Sequence, residues 1–177
     1  LDGRPAAGRR LGATSNAGSE CVTIADHAGP LELVRFAPAT EARLRAILEP
    51  AGIVRVVDVH NPLDLTPIAN AAITGAVART ILGADEVDVG IVGIVPMTDT
   101  IDTLPPAAGH GEDLGRDVAI AAELGRAWGQ ATKPWIVVVD AGPLYAPFAD
   151  ALAAHGIPVL GTADAATRAL AAWSGEP

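Results

Sequence analysis

Apolar positions along this chain come in short runs, broken by polar turns that carry glycine or proline. Residues 11–15, 31–36, 53–59, 87–95, 135–139 and 157–160 read as strands, being brief and rich in Val, Ile and Leu. The stretches between them carry helix signals. Residues 19–28 end before Gly29-Pro30, and Thr40 is a suitable N-cap for 41–48, which the 49–52 segment stops. Thr66 followed by Pro67 predicts a helix over 67–82, ended by Gly83. Further helices are expected at 116–128, 143–155 and 163–173, the last capped by Thr162. Residues 87–95 are almost continuously apolar, as in a central strand covered on both faces.

This alternation implies an α/β domain: a three-layer α/β/α, flavodoxin-like open parallel sheet of about five strands. An eight-fold barrel normally needs about 250 residues, more than the 177 here. Residues 1–8 read as a linker or ragged end, and 97–115 as a long loop rich in Thr, Pro and Gly. The turns after strands 11–15 and 53–59 lie where such sheets bind ligands, at the C-terminal ends of parallel strands.

Composition narrows the function classes. The chain is 50% hydrophobic with a mean hydropathy of +0.33, which argues against disorder. Aromatics are only 3%, so Ala, Val, Leu and Ile must build the core, and Trp128, Trp135, Trp173 and Tyr145, scattered singly, make no stacking platform. The apolar runs are too short to cross a membrane, and no signal-like start precedes them. A net charge of −9 with a single lysine does not suit nucleic-acid binding. One cysteine, Cys21, excludes an internal disulfide and a cysteine-cluster metal site, so a cytoplasmic location is expected.

Two turns carry candidate chemistry. In Asn16-Ala17-Gly18-Ser19-Glu20, backbone N–H groups at a helix start can face an anion, with Gly18 giving conformational freedom and Ser19 able to cap or donate. The alternative is a purely structural turn, which Glu20 favours by suiting the helix dipole. In the segment from Asp58 to Thr66, His60 can exchange a proton near neutral pH and Asn61 is held extended by Pro62. Asp64 and Thr66 can bond neighbouring backbone and start the next helix. Bracing of the loop is the plain reading. The spacing matches no metal signature, so no metal site is expected.

Other residues stand apart from these turns. His110 reads as an exposed loop residue, and His27 and His155 suit helix C-termini. Asp99 and Asp102 follow the fourth strand and either bind a ligand or solvate the loop. Cys21, just inside a helix, reads as packing rather than as a nucleophile.

Thr14-Ser15-Asn16-Ala17-Gly18, Asn61-Pro62-Leu63-Asp64-Leu65 and the tail Gly156-Ile157-Pro158-Val159-Leu160 together resemble the succinyl-CoA-ligase-like flavodoxin domain of nucleoside-diphosphate-forming acyl-CoA synthetases. The likeness covers about residues 9–174, and Asn-Pro-Leu-Asp-Leu is its most specific element. It implies a complete enzyme that makes acyl-CoA, ADP and phosphate from ATP, CoA and a carboxylic acid, reversibly and with Mg. CoA-binding, phosphohistidine-bearing and ATP-grasp domains, in the same chain or a partner subunit, divide that work. This chain resembles the second flavodoxin-like domain, whose helix start helps to stabilise the phosphohistidine supplied by another domain. Asn16, Ala17, Gly18 and Ser19 would then face the phosphate, with His60, Asn61, Pro62 and Asp64 supporting the loop.

The chain departs from the family pattern at three places. Ser19 and Glu20 stand where the family has glycine and a small residue, His60 replaces a glycine before Asn-Pro, and the 97–115 loop is longer. Glu20 would repel a phosphohistidine unless neutralised or turned away. There is no Ser-His-Thr-Gly-like motif and no ATP-grasp or CoA-binding signature, so no residue here is assigned a catalytic role and the fragment binds no cofactor of its own. Two other readings remain: a non-catalytic assembly or regulatory domain on the same fold, and an independent small-molecule enzyme using His60 with Asp64 or Asp99.

Overall fold

The computed structural model describes residues 3–175, so the first two residues of the expected linker lie outside the description. Six strands form one parallel sheet: β1 (Arg10–Ser15), β2 (Glu32–Leu33), β3 (Leu63–Asp64), β4 (Val89–Gly93), β5 (Trp135–Val138) and β6 (Val159–Leu160). Their order is β2-β1-β4-β5-β6, with β3 also on β1. Helices α1 (Gly18–Asp26), α2 (Pro38–Leu48), α3 (Ala71–Leu82), α4 (Ile120–Gln130), α5 (Ala146–Ala154) and α6 (Ala163–Trp173) cover both faces. This is the three-layer, flavodoxin-like arrangement expected from the alternation.

Alternation of period two sorts the strand side chains between two apolar layers. Leu11, Ala13, Val89, Ile91, Ile136 and Val138 face α1 and α6, packing with Ile24, Ala166 and Leu170. Val92, Ile94, Trp135, Val137 and Val139 face the other way, towards Leu124, Trp128, Phe148 and Leu152. Gly12 and Gly90 let α3 lie close on that face, since a Cβ at Gly12 would come within 2.6 Å of Ile81 and one at Gly90 would meet Leu82. Trp128 and Trp135, far apart in sequence, meet with ring centroids 5.4 Å apart, and Arg4 lies over the Trp128 ring.

Several element boundaries differ from the sequence expectation. Residues 53–59 form no strand: a 3-10 turn spans Ile53–Arg55 after Gly52, whose φ is +71°. Ile53, Val57 and Val59 are buried beneath α2 instead. The edge of β1 that such a strand would need is already taken. Arg10 and Leu11 pair with β2, while Thr14 and Ser15 pair with β3.

Thr40 is not a cap, because α2 begins at Pro38 after an extended Ala37 whose N–H donates to Glu86. Thr66 does not cap a helix either. Its φ of +58° is left-handed, and α3 starts at Ala71 with Asn70 as N-cap. Likewise α4 begins at Ile120 rather than 116, after an extended Ala119, and the Arg116 side chain bonds Asp102 and the Gly111 carbonyl. Pro143–Tyr145 is a 3-10 turn preceding α5.

Among the described residues no helix is long and apolar enough to cross a membrane.

Candidate functional site

The strand order reverses between β1 and β4, where a doubly wound sheet opens its ligand crevice. Here Asn16 bridges that point. Its Nδ2 donates to the Val95 carbonyl at 2.9 Å, and its Oδ1 accepts the Val95 N–H at 2.8 Å. Asn16 is therefore a clamp between two strand exits, with its Oδ1 and one Nδ2 hydrogen bonded to Val95.

The next residues set up the helix start. Ala17 is extended and serves as N-cap of α1 without a side-chain bond, so Ser19 is not the cap. The Ala17 N–H donates to Ser15 Oγ at 3.1 Å, and the N–H groups of Glu20 and Cys21 both reach the Ala17 carbonyl. The N–H groups of Gly18 and Ser19 have no acceptor among the described residues. They are the two open donors at the positive end of α1.

Glu20 turns inward. It is 6% exposed and its Oε2 accepts the Ser15 hydroxyl at 2.5 Å, while Oε1 is buried with no partner among the described residues. The carboxylate lies over Gly93 on β4, in space that any Cβ there would take. Burial pushes its pKa up to about 7; the Ser15 bond opposes that and Asp140 adds to it. Glu20 is thus turned away and about half protonated near pH 7, which lessens the repulsion its place in sequence suggested.

On one side of α1 a cleft of about 370 Å³ brings together Gly18, Cys21, His60, Pro62 and Asp64. Four of the residues singled out in sequence meet there. Asp64 Oδ2 sits 2.7 Å from where a Gly18 Cβ would be, and Oδ1 accepts the Thr66 N–H at 2.8 Å. The Asp64 bond to Thr66 forms as expected, but it shapes a strained left-handed residue and not a helix start. Burial, then Asp64, pushes the Cys21 thiol up to about 12, so Cys21 is a packed thiol and not a nucleophile.

Asn61 points the other way, under the loop. Its Nδ2 donates to Leu11 and Val34 carbonyls at 2.7 and 2.9 Å, and its Oδ1 accepts the Ala13 N–H at 2.8 Å. It precedes Pro62 through a cis peptide bond. His60 Nδ1 is 3.0 Å from the Asp58 carbonyl and makes no hydrogen bond to Asp64 or Asp99.

Opposite this cleft, on the other side of α1, a second of about 380 Å³ is lined by Ser19, Glu20, Val95, Asp140 and the start of α6. Among the described residues no group of three or more His, Cys, Asp or Glu is placed to hold a metal ion.

The 97–115 loop bonds to itself and, through the Thr98 and Thr100 hydroxyls, to the Pro67 carbonyl. One Glu112 oxygen collects the Thr103 N–H, the Thr103 hydroxyl and the Leu104 N–H. His110 is exposed in it, as is Asp99, and Asp102 pairs with Arg116. His27 sits at the C-cap of α1 and His155 at that of α5.

Gly93 and Val95 were not singled out in sequence, and Ser15 entered only as part of a motif, without a role. Gly93 carried a usable signal: a glycine inside an apolar strand marks a close approach, as Gly90 does in the same strand.

No family model and no curated protein matches the chain in sequence. Solved structures do match in shape. A Pyrococcus horikoshii OT3 protein superimposes with a TM-score of 0.74 at 24% identity over 98% of this chain and 38% of its own. The dinucleotide forming acetyl-coenzyme A synthetase 1 of Ca. Korarchaeum cryptofilum matches in its apo form (TM-score 0.70) and in complex with phosphate and ADP (0.74). Both are 20% identical over 96% of this chain and 33% of theirs. The likeness is one of fold. This chain spans only about a third of the length of those proteins.

Proposed function

We propose that residues 9–174 form a flavodoxin-like domain of a nucleoside-diphosphate-forming acyl-CoA synthetase, and that the start of α1 faces a phosphoryl group carried on a histidine of another domain. The observation that supports this most is the pair of unpartnered N–H groups on Gly18 and Ser19, with Glu20 folded away over Gly93. Two aligned donors at a helix N-terminus suit a doubly charged phosphoryl group. In this reading ATP, CoA and Mg act on CoA-binding, phosphohistidine-bearing and ATP-grasp domains outside this chain. The resemblance of the sequence motifs and the likeness to an acetyl-coenzyme A synthetase of similar fold point the same way.

A second reading, a non-catalytic assembly domain, draws on the Asp64 carboxylate lying against Gly18, where it opposes an anion. CoA-thioester formation decides between them, measured by mass spectrometry on the complete parent polypeptide with its co-purifying subunits, carboxylic acids and ATP or GTP. Nucleotide-dependent product that Gly18→Pro abolishes and Gly18→Ala retains supports the ligase reading. A folded, complete assembly that makes no product overturns it.

A further inference from the structure

Outside the α1 turn, the arginines of this acidic chain are unevenly placed. Arg10, Arg79, Arg116, Arg126 and Arg168 each lie within 4.0 Å of a carboxylate. Arg35 and Arg45 have no such partner among the described residues, and both are exposed. They belong to a segment, residues 35–60, that holds four arginines against three carboxylates in a chain of net charge −9. Both line one cleft of about 430 Å³, between the end of β2, the outer face of α2 and the 58–61 loop.

The walls of this cleft favour an anion beyond the two guanidinium groups. The backbone N–H groups of Arg35 and Phe36 have no acceptor among the described residues, because β2 stops pairing with β1 just before them. The floor is held by Asn61, tied at once to β1 and to the Val34 carbonyl. Two carboxylates share the lining, Glu41 and Asp58. Asp58 is exposed and lies 3.7 Å from His60, so Glu41 and Asp58 are the charges an anion must outcompete.

We propose that this cleft binds a phosphate group, free or as a monoester, held by Arg35 and Arg45. A tetrahedral dianion carries more charge and more oxygens than a carboxylate, and can meet two guanidinium forks and backbone donors together. His60 also lines the cleft beside Gly18, so it stands between the two sites. A phosphate ester seated on the arginines can extend past it towards the start of α1. The site needs nothing from the acyl-CoA synthetase reading.

The test is a titration of the chain with inorganic phosphate and, separately, with glycerol 3-phosphate, at constant ionic strength, followed by backbone amide shifts. Saturable shifts at Arg35, Phe36 and His60 with either probe are expected, and the two arms tell free phosphate from a monoester. Arg35→Ser and Arg45→Ser should each weaken binding about tenfold, the loss of one charge-assisted contact. Arg55→Ser, at an arginine outside the cleft with no carboxylate partner among the described residues, should leave it unchanged. Absence of saturation, or equal losses in all three variants, overturns the proposal. Shifts confined to Gly18 and Ser19 would also overturn it, while leaving the proposed function standing.

Discussion

Glu20 and Gly93 occupy one volume between them: the carboxylate of α1 fills the place where a side chain on β4 would begin. The two residues are far apart in sequence but lie where β1 hands over to α1. Replacing Gly93 with Ala drives a methyl into Glu20 Oε2 and close to Ser15 Oγ. Such overpacking costs about 1–3 kcal/mol. Urea denaturation should show that loss in Gly93→Ala and a much smaller one when Glu20→Ala is added, since the pair shares one space. Additive losses would mean that Gly93 is needed for another reason.

The same carboxyl makes stability depend on pH. Burial raises the folded pKa of Glu20 from 4.5 to about 7, so between those values the folded state holds a proton that the unfolded chain has released. Stability from this group is therefore fully present below pH 4.5 and is lost as pH rises through about 7. The whole step is on the order of 3 kcal/mol. Unfolding free energies at several pH values should show this decline in the native chain, and Glu20→Gln should flatten it. An unchanged slope in the variant would place the titration elsewhere.

Much of the fold was legible because buried parallel strands leave short, nearly continuous apolar runs and helices leave capping and turn signals around them. Residues 87–95 and 135–139 read correctly for that reason. Residues 53–59 did not, since Val and Ile there pack beneath α2, and no periodicity reveals that the β1 edge is already filled. At the site, the residue types pointed to the right turns but not to the side-chain directions. Gly18, His60, Pro62 and Asp64 meet in one cleft, whereas Asn16 and Asn61 spend their amides on backbone. That choice depends on which carbonyls lie across the sheet, a long-range fact that a local segment does not carry.

Gly18 permits a clean test of its N–H. It is the first residue of α1 and follows an extended Ala17, the setting in which proline is accommodated. Both Gly18→Pro and Gly18→Ala add a Cβ against Asp64, but only proline removes the donor. With one preorganised donor worth roughly 10²–10³ in rate, CoA-thioester formation by the parent assembly should fall that far in the proline variant relative to alanine. Circular dichroism and denaturation should keep the two variants alike. Equal activities would show that this N–H meets no charge that develops in the reaction.

Asn61 does the work of a missing stretch of strand. Along one edge of β1, β2 serves Arg10 and Leu11 and β3 serves Thr14 and Ser15. In the gap between, the Asn61 amide accepts from Ala13 and donates to Leu11, and its other donor reaches Val34 at the end of β2. Asn61→Ala leaves these backbone groups without the amide in a part-buried place, at about 2–4 kcal/mol. Asn61→Asp keeps the acceptor but sets a carboxylate against two carbonyl oxygens, so it should be at least as damaging. Hydrogen exchange at the Ala13 amide reports the gap directly: its protection should drop in both variants while amides of β4 and β5 retain theirs relative to global stability. If Ala13 stays as protected as β4, then β2 and β3 hold the edge without Asn61, and its place in the Asn-Pro-Leu-Asp-Leu element must answer to something other than the sheet.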